Sequence, residues 1–157
     1  MQHPCGEIAN LMLDHGWRLA SAESCTGGLI AAACTDLAGS SAWFERGFVT
    51  YSNESKTGML GVPASLIAQH GAVSQEVALS MVHGALAHSP AQVSLAVTGI
   101  AGPGGGSTEK PVGTVWFAWA TPDGNWAEVQ TFLGDRAAVR CATVAHSLRR
   151  LQELLST

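Results

Sequence analysis

The sequence lacks a basic cluster and a long apolar run. Only eight of its 157 residues are Lys or Arg, and the formal net charge is −4. Binding to nucleic acid relies on many cations that neutralise phosphates, so we expect no nucleic-acid partner. No apolar run approaches the roughly 20 residues that span a bilayer, so we expect no membrane partner either.

Paired cysteines and paired histidines are also missing. The four cysteines are widely spaced without a CxxC motif, which is typical of free thiols in a reducing compartment. The six histidines include no i, i+4 pair of the kind that binds metals, so we expect no metal site. The N-terminal residues contain no basic region followed by an apolar run, which predicts that a signal peptide is absent and the location is cytoplasmic.

Helical and strand patterns alternate along the chain and favour one domain, residues 1–157. Strand patterns occur at 17–23, 43–51, 93–97, 112–120 and 126–132. The last two flank the turn residues Pro122-Asp123-Gly124 and predict an antiparallel hairpin. The other strands alternate with helices, and the strand at 43–51 has no clean polar face, so we expect it to be covered on both sides. The prediction is a three-layer α/β/α sandwich with a mixed, mostly parallel sheet of about five strands.

Three loops rich in glycine and hydroxyl groups follow the ends of predicted strands, where α/β sheets bind ligands. The first places Ser24, Thr26 and Gly27 at a helix start, where backbone N–H groups and the helix dipole favour an anion. An ordinary strand-to-helix turn with hydroxyl caps explains the same residues.

Another of these loops, at 98–110, contains five glycines and is costly to order. Close approach of the backbone to a ligand would justify that cost, with Thr98, Gly99 and Gly102 as candidates for the contact. A mobile surface loop is the alternative. The spacing fits neither the dinucleotide fingerprint nor the Walker pattern, so NAD or ATP binding does not follow. Arg136 is either a phosphate clamp or a surface cation.

The remaining loop runs from Tyr51 to Lys56. Lys56 lies in the first turn of a predicted helix, where the dipole repels a cation and lowers the pKa of the amine. A neutral amine can take the proton of a hydroxyl nucleophile, and Ser40 and Ser41 precede this loop. Turn serines and an exposed helical lysine are the alternative interpretation. Cys25 is a rival nucleophile, because a helix N-terminus lowers the pKa of a thiol.

Four ordered segments closely resemble the CinA C-terminal domain family. They are AESCTGG at 22–28, GSSAWFERGFVTYSN at 39–53, VTGIAGP at 97–103 and KPVGTV at 110–115. Within the family, the chain looks like the stand-alone nicotinamide-nucleotide amidases. The likeness extends from about residue 5 to residue 155, and the order of several motifs makes it specific.

The resemblance implies hydrolysis of nicotinamide mononucleotide to nicotinic acid mononucleotide and ammonia. It maps the serine, tyrosine and lysine of the family onto Ser41, Tyr51 and Lys56, although the residues alone do not separate Ser40 from Ser41. It implies no metal or organic cofactor, a small-molecule nucleotide as partner, and a homodimer or larger homo-oligomer.

Four side chains are candidates for holding the phosphate and ribose of such a substrate, namely Ser24, Thr26, Thr98 and Arg136. Two other functions compete with the amidase. One is a non-catalytic nucleotide-binding or partner-binding module, and the other is a hydrolase that depends on Cys25.

Overall fold

A five-stranded mixed sheet lies between two layers of helices in the computed structural model, which describes residues 2–157. In chain order the elements are α1 (Cys5–His15), β1 (Leu19–Glu23), α2 (Leu29–Thr35), a 3₁₀ turn (Ser40–Ala42), β2 (Phe44–Val49), α3 (Asn53–Leu60), α4 (Ala64–His70), α5 (Gln75–Ala87), β3 (Val93–Gly99), β4 (Thr114–Thr121), β5 (Gly124–Thr131) and α6 (Arg136–Leu155). The strand order is β2-β1-β3-β4-β5, with β2 and β3 parallel to β1 and the last two ladders antiparallel. The predicted three-layer sandwich with a mixed sheet is confirmed. Within residues 2–157, no helix combines the length and apolar character that a bilayer crossing requires.

The two faces of the sheet carry side chains of different size. Toward α1, α2 and α6 the strands present large residues, such as Leu95, Phe117 and Trp119. Toward α5 they present alanines, such as Ala96 and Ala118. Since alternate residues of a strand point to opposite faces, the difference arises because large residues and alanines alternate along the strand sequences. The alanine face has room for α5 to lie close to the sheet.

β2 forms one edge of the sheet, where only β1 pairs with it. The expectation that this strand is covered on both sides was wrong, because Arg46, Gly47 and Val49 are exposed. The apolar residues of β2 are instead divided between the two cores, with Phe44 packed on one and Phe48 on the other.

The register brings the ends of the three parallel strands to one side of the sheet. Glu23, the last residue of β1, is aligned with Val49 of β2 and Val97 of β3. The loops that follow these strands therefore leave the sheet next to one another. The observed topology thus brings the three glycine- and hydroxyl-rich loops to the same edge of the sheet.

Helix α3 begins and ends with clear local signals. The Ser52 hydroxyl accepts a hydrogen bond from the Ser55 N–H at its start, and Gly61 ends it in the left-handed conformation. The end of α3 packs closely against α5 at Gly84. A Cβ built on Gly84 would lie 2.1 Å from the Leu60 carbonyl oxygen. A glycine is therefore required where the two helices meet.

Replacing Gly84 with alanine should destabilise the fold, because a backbone carbonyl cannot move aside as a side chain can. We expect the free energy of unfolding to fall by about 1–3 kcal/mol, measured by urea denaturation. Gly58→Ala in exposed α3 is the matched control, because its Cβ would contact nothing within 4 Å. That change should add about 0.5–1 kcal/mol of stability. Equal effects at the two sites would contradict the packing argument.

Candidate active site

One cleft at the carboxyl end of the parallel strands collects residues from all three loops. Its volume is about 290 Å³. The lining residues are Ser24, Cys25, Tyr51, Asn53, Lys56, Ala72, Val73, Thr98, Gly99, Ile100, Ala101, Gly102, Gly104, Gly105 and Arg136. Eight of the residues that the sequence proposed, including the rival nucleophile Cys25, are in this set, whereas Thr26, Gly27, Ser40 and Ser41 are not.

The Lys56 amine lies at the base of the cleft and is almost completely buried, with 1% of the residue exposed. Its Nζ atom donates to the Ser24 hydroxyl at 3.1 Å and to the carbonyl oxygens of Thr50 and Tyr51 at 3.0 and 3.3 Å. No carboxylate in residues 2–157 forms an ion pair with it. Burial lowers the pKa of the amine below its usual 10.5. The expected lowering of this pKa is therefore present, with loss of hydration as its main cause.

Ser24 occupies the place beside Lys56 that the sequence had assigned to Ser41. Ser41 lies in the exposed turn before β2, where its carbonyl oxygen accepts from the Arg18 guanidinium at 3.0 Å. Lys56 contacts the residues that follow β2, and a six-residue strand separates its ends by roughly 16 Å. The chain therefore does not bring Ser41 to the amine, which corrects the predicted arrangement. Ser40, in the same turn, shares this placement.

The adjacency of β1 and β2 was the signal that could have identified Ser24. Ser24 directly follows β1, and Lys56 belongs to the segment that follows β2. In a parallel pair of strands these positions are neighbours, whereas a residue before β2 lies at the other end. The sequence reading placed Ser24 among the ligand-binding residues and missed it as the partner of Lys56.

Tyr51 and Arg136 form the rim of the cleft. The Arg136 guanidinium donates to the Tyr51 hydroxyl at 3.0 Å and to the Gly102 carbonyl oxygen at 2.9 Å. It thereby connects two of the three loops from the first turn of α6. The Tyr51 hydroxyl accepts from Arg136, and the Lys56 amine donates to the Tyr51 carbonyl oxygen instead of contacting the hydroxyl.

The predicted anion cradle at the start of α2 is filled by the protein's own carboxylate. Glu23 is completely buried, and it accepts hydrogen bonds from the Thr26 hydroxyl and from the N–H groups of Gly28, Ile30 and Ala31. These contacts satisfy the free donors and the positive end of the helix. Thr26 and its neighbour Gly27 therefore shape this turn rather than line the cleft.

The glycines of the 98–110 loop serve internal packing as well as the cleft. A Cβ on Gly99 would lie 2.7 Å from the Val115 side chain, and one on Gly102 would lie 2.4 Å from Val112. Gly102 also has a φ of +87°, which disfavours other residues. Thr98, which is buried, donates its hydroxyl to the Ala72 carbonyl oxygen at 2.9 Å. The close approaches at Gly99 and Gly102 are therefore with Val115 and Val112 of the protein itself.

Cys25 lines the cleft as a buried thiol, with 5% of the residue exposed. Burial raises the pKa of this thiol to about 11, so the thiol form dominates at neutral pH. The expectation that the helix N-terminus lowers its pKa was wrong, because desolvation outweighs that effect and Glu23 occupies the helix start. The geometry does not favour a cysteine nucleophile. In the described chain, no three His, Cys, Asp or Glu side chains come together in a way that could hold a metal ion.

Comparison with known proteins extends these observations. A model of the CinA C-terminal domain family matches residues 2–155. The chain is 53% identical over 148 residues to the nicotinamide-nucleotide amidohydrolase PncC of Shigella flexneri, an alignment that covers 92% of this chain and 88% of the relative. It is 52% identical over 146 residues to the protein of the same name from Escherichia coli (strain K12), with the same coverage.

Solved structures agree with this similarity. The crystal structure of the competence/damage inducible protein CihA from Agrobacterium tumefaciens superposes with a TM-score of 0.90. The two sequences are 46% identical, and the alignment covers 98% of this chain and 95% of the other.

The lowered pKa of Lys56 should make the stability of the fold rise in alkaline solution. The folded chain releases this proton at a lower pH than the unfolded chain, whose amine titrates near 10.5. Between the two pKa values unfolding takes up a proton, so the free energy of unfolding increases with pH. Urea denaturation from neutral pH up to 10.5 should therefore show the wild type gaining stability relative to Lys56→Met. A difference that stays constant with pH would contradict the burial argument.

Proposed function

The chain belongs to the CinA C-terminal domain family, and we propose that it is a nicotinamide-nucleotide amidohydrolase. The reaction converts nicotinamide mononucleotide and water to nicotinic acid mononucleotide and ammonia. Relatives that carry this name are 52–53% identical to the chain over alignments that cover 92% of it. The observation that carries the chemistry is the buried pair of the Ser24 hydroxyl and the Lys56 amine, 3.1 Å apart at the base of the cleft.

The neighbours of Lys56 suit a base. A neutral amine has two N–H donors and one lone pair. In this form the carbonyl oxygens of Thr50 and Tyr51 accept the two N–H groups. The third position of Nζ, which donates to the Ser24 hydroxyl when the amine is charged, then holds the lone pair and accepts from that hydroxyl. Burial favours this neutral form. In this mechanism Lys56 takes the hydroxyl proton as Ser24 attacks the carboxamide carbon.

The developing oxyanion has donors within the same turn. The backbone N–H groups of Cys25 and Thr26 make no hydrogen bond to any other residue in the described chain. The N–H that follows a nucleophile is a common oxyanion donor in hydrolases, and one such donor is typically worth about 10²–10³ in rate. We assign the oxyanion to these two groups, since the N–H groups further along are already bound. Gly27 donates to the Ser24 carbonyl oxygen, and Gly28 and Ile30 donate to Glu23.

Collapse of the tetrahedral intermediate breaks the carbon–nitrogen bond. The Lys56 ammonium returns its proton to the leaving nitrogen, which departs as ammonia and leaves an acyl ester on Ser24. Water then attacks the ester, Lys56 accepts a proton from this water, and the proton passes to the Ser24 oxygen. The product acid is released and both residues return to their starting state.

Arg136 is the group we assign to the 5′-phosphate. It is a permanent cation at the rim of the cleft, and its planar guanidinium suits a phosphate. Thr98 and the backbone of Gly99 and Gly102 line the wall between Arg136 and the Ser24–Lys56 pair. We assign the ribose contacts of the nucleotide to them.

Release of ammonia from nicotinamide mononucleotide tests the proposal. We expect Ser24→Ala to lower kcat by about 10⁴-fold or more and Lys56→Met by about 10²–10⁴-fold, because these changes remove the nucleophile and its base. Ser41→Ala is the matched control, since this exposed serine lies at the opposite end of β2, and it should keep near wild-type activity. Cys25→Ala should also remain active.

Two other outcomes would contradict the proposed mechanism or the proposed activity. Full activity in Ser24→Ala with loss in Ser41→Ala or Cys25→Ala would reject the Ser24 mechanism. If the wild type is stabilised thermally by the mononucleotide but releases no ammonia, the chain is a nucleotide-binding module instead.

A further inference from the structure

Tyr51 contributes the aromatic surface of the cleft. Among the described lining residues it is the one aromatic side chain, and 61% of it is exposed. Its backbone carbonyl oxygen and its side-chain hydroxyl both accept hydrogen bonds. Its carbonyl oxygen accepts from the Lys56 amine at 3.3 Å, and its hydroxyl accepts from Arg136 at 3.0 Å. The ring therefore lies between the reacting pair and the rim cation.

The charges around the cleft leave few groups that could attract a cation. The described lining residues include no Asp or Glu, and their ionisable cationic side chains are Lys56 and Arg136. Glu23, the buried carboxylate at the end of β1, is occupied by the Thr26 hydroxyl and the N–H groups of α2. A cationic ligand ring that enters the cleft thus meets no carboxylate. The face of the Tyr51 ring is an aromatic surface in this cleft that attracts positive charge.

We propose that Tyr51 selects the positively charged pyridinium ring of the oxidised nucleotide over a neutral ring of the same shape. This inference rests on the proposed function, which places the carboxamide at Ser24 and the phosphate at Arg136. A ligand in that pose extends along the Tyr51 ring, because the residue is bound at those two ends. Reduced nicotinamide nucleotides, whose dihydropyridine ring is neutral, lose this attraction and bind less well.

A simpler role for Tyr51 is to hold Arg136 through the hydroxyl. The two roles predict different effects of two substitutions. Tyr51→Phe removes the hydrogen bond to Arg136 and keeps the ring, whereas Tyr51→Leu removes both. Only the ring role predicts that the phenylalanine variant still distinguishes a cationic ligand from a neutral one.

Calorimetric titration of the product and a neutral isostere measures this selectivity without turnover. The first ligand is nicotinic acid mononucleotide, and the second is the C-nucleotide in which a benzene ring replaces the pyridinium ring. Both carry the same carboxylate and phosphate, so the ratio of their Kd values isolates the ring charge. We expect the wild type and Tyr51→Phe to prefer the cationic ligand by about 3- to 30-fold and Tyr51→Leu to lose the preference.

Two results would overturn the inference. One is an unchanged Kd ratio in Tyr51→Leu, and the other is a ratio that collapses equally in Tyr51→Phe. Because Tyr51 is exposed, all three proteins should unfold at similar temperatures, which excludes a general loss of structure. Ammonia release by the wild type separates this test from the proposed function. Turnover with no ring selectivity rejects the role of Tyr51 alone, and absence of turnover rejects the amidohydrolase.

Discussion

The burial of the Lys56 amine is the constraint on which the rest of the site depends. A buried ammonium loses its hydration, and the described chain supplies no carboxylate in compensation. The carbonyl oxygens of Thr50 and Tyr51 and the Ser24 hydroxyl accept its hydrogen bonds instead. The same burial that costs stability lowers the pKa of the amine and so favours its neutral form. That form can accept a proton from Ser24. A feature unfavourable for the fold is thereby favourable for the proposed chemistry.

The position of this amine can be followed back to the sheet. Alanines such as Ala96 and Ala118 cover the face below α5, and α5 accepts α3 closely at Gly84. Helix α3 in turn carries Lys56 to the end of β1 and β2. The large residues of the other face, around Trp119, support α6, which supplies Arg136 to the rim. Each face of the sheet thus positions one of the two basic side chains of the cleft, Lys56 and Arg136.

Residues that looked alike in the sequence have different tasks in the structure. Hydroxyl groups and glycines mark all three loops, yet Thr26 completes the binding of Glu23 at the helix start while Ser24, two residues earlier, faces Lys56. The glycines at 99 and 102 make room for Val115 and Val112. In the described chain the N–H groups of Cys25 and Thr26, next to Ser24, have no hydrogen-bond partner, so these donors are available beside the proposed nucleophile.

Local chemistry determined most of the architecture from the sequence alone. Strand periodicity, the Pro122-Asp123-Gly124 turn and hydroxyl caps act between residues close in the chain, so the elements and the mixed sheet could be predicted. The edge position of the strand predicted at 43–51 could not be predicted, because it depends on the order of strands in the sheet. The choice between Ser41 and Ser24 also needed tertiary structure. Ser41 is nearer to Lys56 along the chain, but six residues of extended β2 carry it away. Parallel pairing with β1 places Ser24 beside the amine, since non-local register decides which loop ends meet.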